Sequence, residues 1–393
     1  MRRLLQGLKN GFLGFVLLGV CSLLMVAYST QNRPHNSALD ARILSVFKMP
    51  TEKTFRSGSW MKATESFLDD RILGRTRMLG LHQIVAQKVF AAQEVAGVWT
   101  DPKTHIMFDP MPLLRSPLDY QAPLADLRTT TSQAGVPLLM VYVPRKQEVF
   151  ADVLPKHWDN TYLHDKAAII DQFNQTGTTL DLTPIVGDSA TRTKNWYRTD
   201  HHWNYPAAIA ARNAVTLRLQ QMGIATPQPL PVLNQMRHYP KFIGSVGRRL
   251  TATGVAQPDV FQIPWVTHSG LTRCSEQPLD TPVCSKSILV NSIGNRKDQY
   301  TNRYATFLDG DNGIDDIRGS GTGTYVILKD SFGDAFVPYF ALGAKRVVSI
   351  DERHYSGATL SQVIAQIHPD AVIFLHNQLS MSTLTTDQMA IWR

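Results

Sequence analysis

Two short stretches of this chain carry side chains whose types and spacing suit nucleophilic chemistry. Tyr197-Arg198-Thr199-Asp200-His201-His202-Trp203-Asn204 puts a carboxylate, two imidazoles and an indole in consecutive positions. Ile327-Leu328-Lys329-Asp330-Ser331-Phe332-Gly333-Asp334 sets a hydroxyl directly after an apolar run. An Asp two residues from a His can orient the imidazole and support its charge, and that imidazole can take the proton of a serine. Asp200 and His202 have this spacing. His201 is the alternative base, because adjacent side chains point different ways and only one need reach Ser331. The Ser331 N–H, at a strand-to-helix turn, is also placed to face a developing oxyanion. The plainer role for Asp330 or Ser331 is to cap the following helix. A lone His is ordinarily structural, but Asp-His-His-Trp in a row is hard to explain by packing. A metal would require a third ligand, and His238, His268 and Asp351 lack motif spacing. No metal and no cofactor are expected.

The elements that must position these groups alternate. After a helical segment from Leu118 to about Gly135, the apolar run Pro137 to Val143 reads as a buried parallel strand. A helix over Tyr162 to Gln175 stops at Gly177, and Thr179 to Leu182 is a short strand. A helix over Pro206 to Met222 follows the histidine stretch, with Pro at its first turn and Gly223 as stop. From about Ala225 to Gly323 the rhythm breaks, with one clear apolar run at Ile288-Leu289-Val290. It resumes with strand Tyr325 to Leu328, a helical turn after Ser331, strand Arg346 to Ile350, helix Ala358 to Ile367 and strand Ala371 to Leu375. Such alternation predicts a three-layer α/β domain with a mostly parallel sheet. In such sheets reactive groups collect at the carboxyl ends of the strands, where Ser331, the histidine stretch and Pro144-Arg145-Lys146 all fall. Upstream, Trp60 to Val95 reads as one or two helices broken at Gly74, and Val98 to Phe108 as a small hairpin.

The chain has 393 residues, 43% apolar, enough for a full core. Residues 1–10 carry Arg2, Arg3 and Lys9 without an acid, and 11–28 are uncharged and mostly apolar. This predicts a basic cytoplasmic flank and a single-pass signal anchor, then a linker at 29–50 and a folded domain at 51–393 outside the cytoplasm. Ala27-Tyr28-Ser29 would also serve as a cleavage site, but the apolar run is longer than the usual signal core. Val20 before Cys21 does not suit lipidation. In an oxidising compartment Cys274 and Cys284, flanking a short Pro-containing loop, are expected to pair in a disulfide; free thiols are the alternative. The net charge of +8 is spread along the chain, and no nucleic-acid motif is present.

Thr199-Asp200-His201-His202-Trp203-Asn204 resembles the signature of the DHHW protein family, named for that tetrapeptide. Lys329-Asp330-Ser331-Phe332, Phe336-Val337-Pro338, Val347 to Asp351 and Arg353-His354-Tyr355 are similar to the family's second block. Both blocks resemble the SGNH-like domain of the alginate O-acetyltransferases, with its Asp-x-His-Trp motif and later serine. The resemblance runs from about Trp60 to the C-terminus. It implies an SGNH-like, flavodoxin-like domain of permuted motif order, with Ser331 as nucleophile, His202 as base and Asp200 as orienter. His201, Trp203, Lys146 and Asp330 would stand beside the site, Lys146 within a further similar block from Val143 to Pro155. Lys-Asp-Ser replaces the Gly-Asp-Ser of standard GDSL enzymes, and their oxyanion glycine and asparagine find no counterpart. The implied activity is transfer of an acyl group, acetyl in this family, to a cell-envelope polysaccharide through an acyl-serine. A carbohydrate esterase of the same mechanism and a non-catalytic polysaccharide-binding or scaffold module are the alternatives. A transferase outside the membrane has no acetyl-CoA, which implies a membrane-bound O-acyltransferase partner as acyl donor.

Overall fold

The computed structural model describes Cys21, residues 36–37, 39–40 and 42–393, except 72–73, 111–113, 159–160, 234, 267–269, 276–282 and 286. The basic flank, the apolar run 11–28 apart from Cys21, and most of the first half of the expected linker lie outside the described residues. No helix among the described residues is long and apolar enough to cross a membrane.

The chain divides into two compact units, Met1–Ala92 with Arg248–Gly254, and Gln93–Gly247 with Val255–Arg393. In the first, helices α1 (Ser59–Arg71) and α2 (Arg75–Ile84) are separated at Gly74. Gly74 has φ of 75°, a left-handed conformation that costs glycine little, so the break expected there has a backbone cause. Within this unit Asp70 accepts from Arg42 and from the Ser45 N–H, and the Thr251 hydroxyl donates to Gln83 Oε1 at 2.8 Å.

The second unit opens with a three-stranded antiparallel sheet in which the strand Glu94–Val95 pairs with β1 (Val98–Thr100), and β1 pairs with β2 (Met107–Phe108) as the expected hairpin. Then follow α3 (Gln121–Gln133), β3 (Leu138–Tyr142), α4 (Thr161–Thr176), β4 (Thr178–Asp181) and α5 (Tyr205–Gln221). A second hairpin pairs β5 (Gln235–Phe242) with β6 (Asp259–Trp265), and a third pairs β7 (Thr272–Ser275) with β8 (Val283–Ser285). The last elements are β9 (Ile314–Arg318), β10 (Thr324–Lys329), α6 (Ser331–Ala341), β11 (Arg346–Ile350), α7 (Leu360–Ile367) and β12 (Ala371–His376).

Eight strands form one sheet in the order β8-β7-β9-β11-β10-β12-β3-β4. From β11 to β4 every pairing is parallel, and from β8 to β11 every pairing is antiparallel. Alternate strand residues feed two cores. Leu139, Val141, Tyr325, Ile327, Ile373 and Leu375 pack with α5 and α6, whereas Met140, Tyr142, Val326, Leu328 and Phe374 pack with α3, α4 and α7. Burial on both faces is why these strands are continuous apolar runs. The fold is thus mixed α/β around a large, mostly parallel sheet.

In the apolar run Ile288-Leu289-Val290, Leu289 makes an isolated bridge to Phe307. One expectation changes. The helical turn after Ser331 is a buried helix of eleven residues that accommodates Pro338. The pairing expected of the cysteines is present, Cys274 and Cys284 facing each other across β7 and β8 in a disulfide.

At the end of β3, the Tyr142 hydroxyl lies 2.9 Å from both carboxyl oxygens of Glu148. Burial pushes the Glu148 carboxyl up from 4.5 to about 7. A carboxyl raised in the folded state favours folding below its unfolded pKa, and that contribution is lost as pH rises through the folded one. Relative to Glu148→Gln, the parent is expected to lose on the order of 3 kcal/mol between pH 4.5 and 7. Urea denaturation of both proteins at pH 5 and pH 8 measures the difference.

Candidate active site

The histidine stretch is a tight loop. Trp196 and Trp203 bridge its base, and the Asn204 N–H donates to Asn195 O at 2.9 Å. Three groups from distant parts of the sequence hold its backbone. Asp259, at the start of β6, accepts from the N–H groups of Arg198 and Thr199 at 2.8 and 2.7 Å and from the Thr199 hydroxyl at 2.6 Å. Lys146 is buried and its Nζ donates to the carbonyls of Met107, Arg198 and Asp200 at 2.8 to 2.9 Å. Burial pushes that amine down to about 8. Lys146 is therefore a brace beneath the loop. Lys146→Met would orphan three carbonyls, each worth about 1–3 kcal/mol when left unpaired. It is expected to lower kcat on the order of 100-fold through loop displacement, with KM little changed, in steady-state assays.

The third group is Gly244-Ser245. The Ser245 N–H donates to Asp200 Oδ2 at 2.8 Å. Gly244 passes so close that a Cβ there would lie 2.3 Å from Asp200 Cβ, so this position admits no side chain.

Ser331 is carried by the sharp exit from β10 into α6. Asp330 caps the helix, accepting from the Phe332 N–H at 2.9 Å, and its other oxygen accepts from the Asn377 N–H beyond β12 at 2.9 Å. The capping role weighed for Asp330 is thus real, and it leaves the Ser331 side chain free to point elsewhere. The Ser331 N–H is the first of α6, where no intrahelical acceptor exists.

Loop and elbow meet in one hydrogen-bonded chain. His202 Nδ1 lies 2.7 Å from Asp200 Oδ1, and His202 Nε2 lies 2.8 Å from Ser331 Oγ. An ionised carboxylate only accepts, so Nδ1 carries the proton and Nε2 is left to accept from the serine hydroxyl. Burial alone would raise the Asp200 carboxyl, but the electrostatic pull and hydrogen bond of the His202 N–H outweigh it and hold the group well below the usual range. All three side chains are largely buried, with Ser331 8% and His202 7% exposed. Tyr304 stacks on the His202 ring at 3.9 Å, and the Phe332 ring packs edge-on against it at 5.1 Å. Trp203 Nε1 donates to Phe332 O at 3.1 Å, tying the loop to the first turn of α6.

Of the two candidate bases, His202 is the one that reaches Ser331. His201 lies over His202 with ring centroids 3.7 Å apart, and its Nδ1 is 2.6 Å from Ser245 Oγ. Desolvation and the neighbouring His202 lower its pKa from the ordinary imidazole value, an effect that solvent reduces because 41% of the side chain is exposed. Asp200, His201 and His202 bring ligand atoms within 4.8 Å of one another. Those atoms are engaged with Ser245, Ser331 and each other, so a cation would have to displace the chain of hydrogen bonds. Of the third ligands considered, His238 is on β5, Asp351 binds Lys329 and Arg353, and His268 lies outside the described residues. Asp259, Ser245, Gly244 and Tyr304 were not legible as site residues, because each acts across at least forty intervening positions.

The sheet thus carries a serine at one carboxyl edge, and an Asp-His pair meets it from a loop. Residues 116–256 match the family model of the SGNH hydrolase-like domain of the acetyltransferase AlgX. Among solved structures, a DHHW family protein from Eubacterium siraeum is similar at 18% identity, with a TM-score of 0.58, over 76% of this chain and 96% of that one. Bacillus cereus PatB1, in a structure bearing a sulfonyl adduct, is similar at 16% identity and a TM-score of 0.61, over 75% of this chain and 98% of that one. At these identities the likeness shows the fold. No curated protein matches the chain.

Proposed function

We propose that this chain transfers an acyl group, acetyl in the first instance, to a hydroxyl of a cell-envelope polysaccharide through an acyl-Ser331 intermediate. The observation that carries the proposal is the unbroken run of hydrogen bonds from Ser331 through His202 to Asp200. A non-catalytic module has no need of it. The match to an acetyltransferase family model supports acetyl as the group moved.

His202 Nε2 takes the Ser331 hydroxyl proton as Oγ attacks the carbonyl carbon of the acyl donor, and Asp200 stabilises the imidazolium. The donor's C–O bond breaks, and its alcohol leaves with the proton from His202. A sugar hydroxyl then gives its proton to Nε2 and attacks the acyl-serine. Ser331 Oγ departs and recovers that proton. The Ser331 N–H, at the positive end of α6, supports the oxyanion in both halves.

The reaction is placed outside the cytoplasmic membrane, with residues 11–28 as anchor and a membrane-bound O-acyltransferase as the donor of acyl groups. Water in place of the sugar makes the same machinery an esterase. The test is to supply an acetyl ester with envelope polysaccharide and to follow acetate release and glycan acetylation by NMR. Acetyl on the glycan supports transfer; acetate alone, with the membrane partner also supplied, overturns it in favour of the esterase.

A further inference from the structure

Next to the segment that carries Tyr304, β5 and residues 294–303 line an open pocket of about 680 Å³. Its walls carry Lys241, Arg296, Lys297 and Arg303 against the single carboxylate Asp298. Lys241, Arg296 and Lys297 are exposed. Arg303 is different, being only 4% exposed. Its two terminal nitrogens donate to the carbonyls of Gly294 and Arg296, while its buried Nε has no acceptor among the described residues. No carboxylate pairs with it among those residues, and burial pushes its pKa below the ordinary guanidinium value.

A buried guanidinium whose donors meet only carbonyls, with Asp298 and Tyr239 acting on it without an ion pair, is only partly compensated, and such charges are costly unless something brings a closer counter-charge. The surroundings are built to keep it there. The guanidinium lies 5.6 Å from the Tyr239 ring centre, and a Cβ on Gly294 would fall 2.4 Å from Tyr239 Cζ, so a side chain at 294 would collide with that ring. Next in sequence after Arg303 is Tyr304, whose ring stacks on His202. The floor of the pocket and the wall of the catalytic imidazole are consecutive residues.

We infer that this pocket is an anion-binding subsite that takes a carboxylate- or phosphate-bearing unit of the acceptor polymer. The inference rests on the acyl-transfer reading in naming the acceptor as its ligand. An anionic unit supplies the closer counter-charge that Arg303 lacks, and the three exposed cations draw it in and make binding sensitive to salt. Its occupancy also bears on Tyr304, and so on the packing of His202, which links recognition of the polymer to the reacting hydroxyl.

The test uses the full chain and three probes in titration calorimetry: an oligogalacturonate, its carboxyl-reduced form, and an oligomer of glycerol phosphate. At least one anionic probe is expected to bind about tenfold or more tightly than the reduced oligosaccharide, with affinity falling as salt rises. The stronger of the two identifies the source of the charge. Because Arg303 variants risk the fold, the decisive variant is Lys241→Gln with Lys297→Gln, both exposed and outside the catalytic machinery. It should lose about tenfold in anionic affinity and keep its turnover of a small neutral acetyl ester. Equal binding of charged and reduced probes, or an unchanged double variant, overturns the subsite while leaving acyl transfer standing if the ester is still cleaved. Charge-selective binding without any turnover does the reverse.

Discussion

Ser331→Ala and His202→Ala are each expected to lower kcat on acetyl esters by a factor on the order of 10⁴–10⁶, with KM little changed. The reason is geometric. One hydroxyl faces one imidazole at 2.8 Å, and among the described residues no other base is hydrogen-bonded to that hydroxyl. Groups that act as a unit are not additive, so the double variant should be no slower than the singles. Asp200→Asn should cost on the order of 10⁴, because an amide at 2.7 Å from Nδ1 can donate to it and favour the wrong tautomer. His201→Gln serves as the control: its imidazole is engaged with Ser245 and does not reach Ser331, so its loss should be far smaller. The same series against a sulfonyl fluoride reads the nucleophile without an ester. Labelling should disappear with Ser331→Ala.

The second large effect concerns what holds the serine in place. Lys329, two residues before Ser331, is buried, its ammonium bound to Asp334 and 3.4 Å from Asp351. Arg353 in turn binds Asp351 and Asp311, its Nη2 being 2.9 Å from Asp311. Burial acts to neutralise Lys329, but the three carboxylates around it outweigh that and raise its pKa. Burial already pushes the Asp334 carboxyl well above the ordinary range, with Lys329 opposing that shift, and Lys329→Met removes this opposing cation from the first turn of α6. Breaking a buried pair in this way costs about 3–5 kcal/mol, measurable as a fall in the denaturation midpoint. Lys329→Met with Asp334→Asn should recover most of it, since Asp351 keeps Arg353. If the double variant is as unstable as the single, packing of the lysine stem against Gly333 and not its charge is what α6 requires.

The network also explains the departure from Gly-Asp-Ser noted in the sequence. Lysine stands before Asp330 because its ammonium anchors the helix that begins at Ser331. The pairing chemistry was invisible in the sequence, where Asp334 and Asp351 are five and twenty-two residues away.

Elsewhere, legibility followed burial. β3, β10, β11 and β12 are apolar on both faces and stood out as continuous runs, and their order of appearance between helices implied parallel pairing. β9 did not, because its sequence Ile-Asp-Asp-Ile-Arg reads as a charged loop. In the fold those acids are matched: Asp315 by Arg273 at 2.7 Å, and Asp316 by Arg318 and Arg346 at 2.8 Å. The β5–β6 hairpin was hidden by Pro240 and Pro264, which normally argue against strands. α6 read as a single turn because every residue in it is buried, which erases the amphipathic period, and because Pro338 signals a break. The Asp200, His202 and Ser331 positions were legible because their chemistry is unusual. Of their supports, Lys146 was marked by its place at the carboxyl edge of the sheet and by the family resemblance, whereas Asp259 and Ser245 are ordinary residues until the fold brings them to the loop.

The account stands most directly on a covalent intermediate. The full chain would be exposed briefly to an activated acetyl ester, quenched in acid, and weighed intact before peptide mapping. The account predicts a population heavier by one acetyl group, with the acetyl on the peptide containing Ser331, cleared by adding glycan acceptor and absent from Ser331→Ala. Turnover of the ester with no acetyl on Ser331 would contradict it.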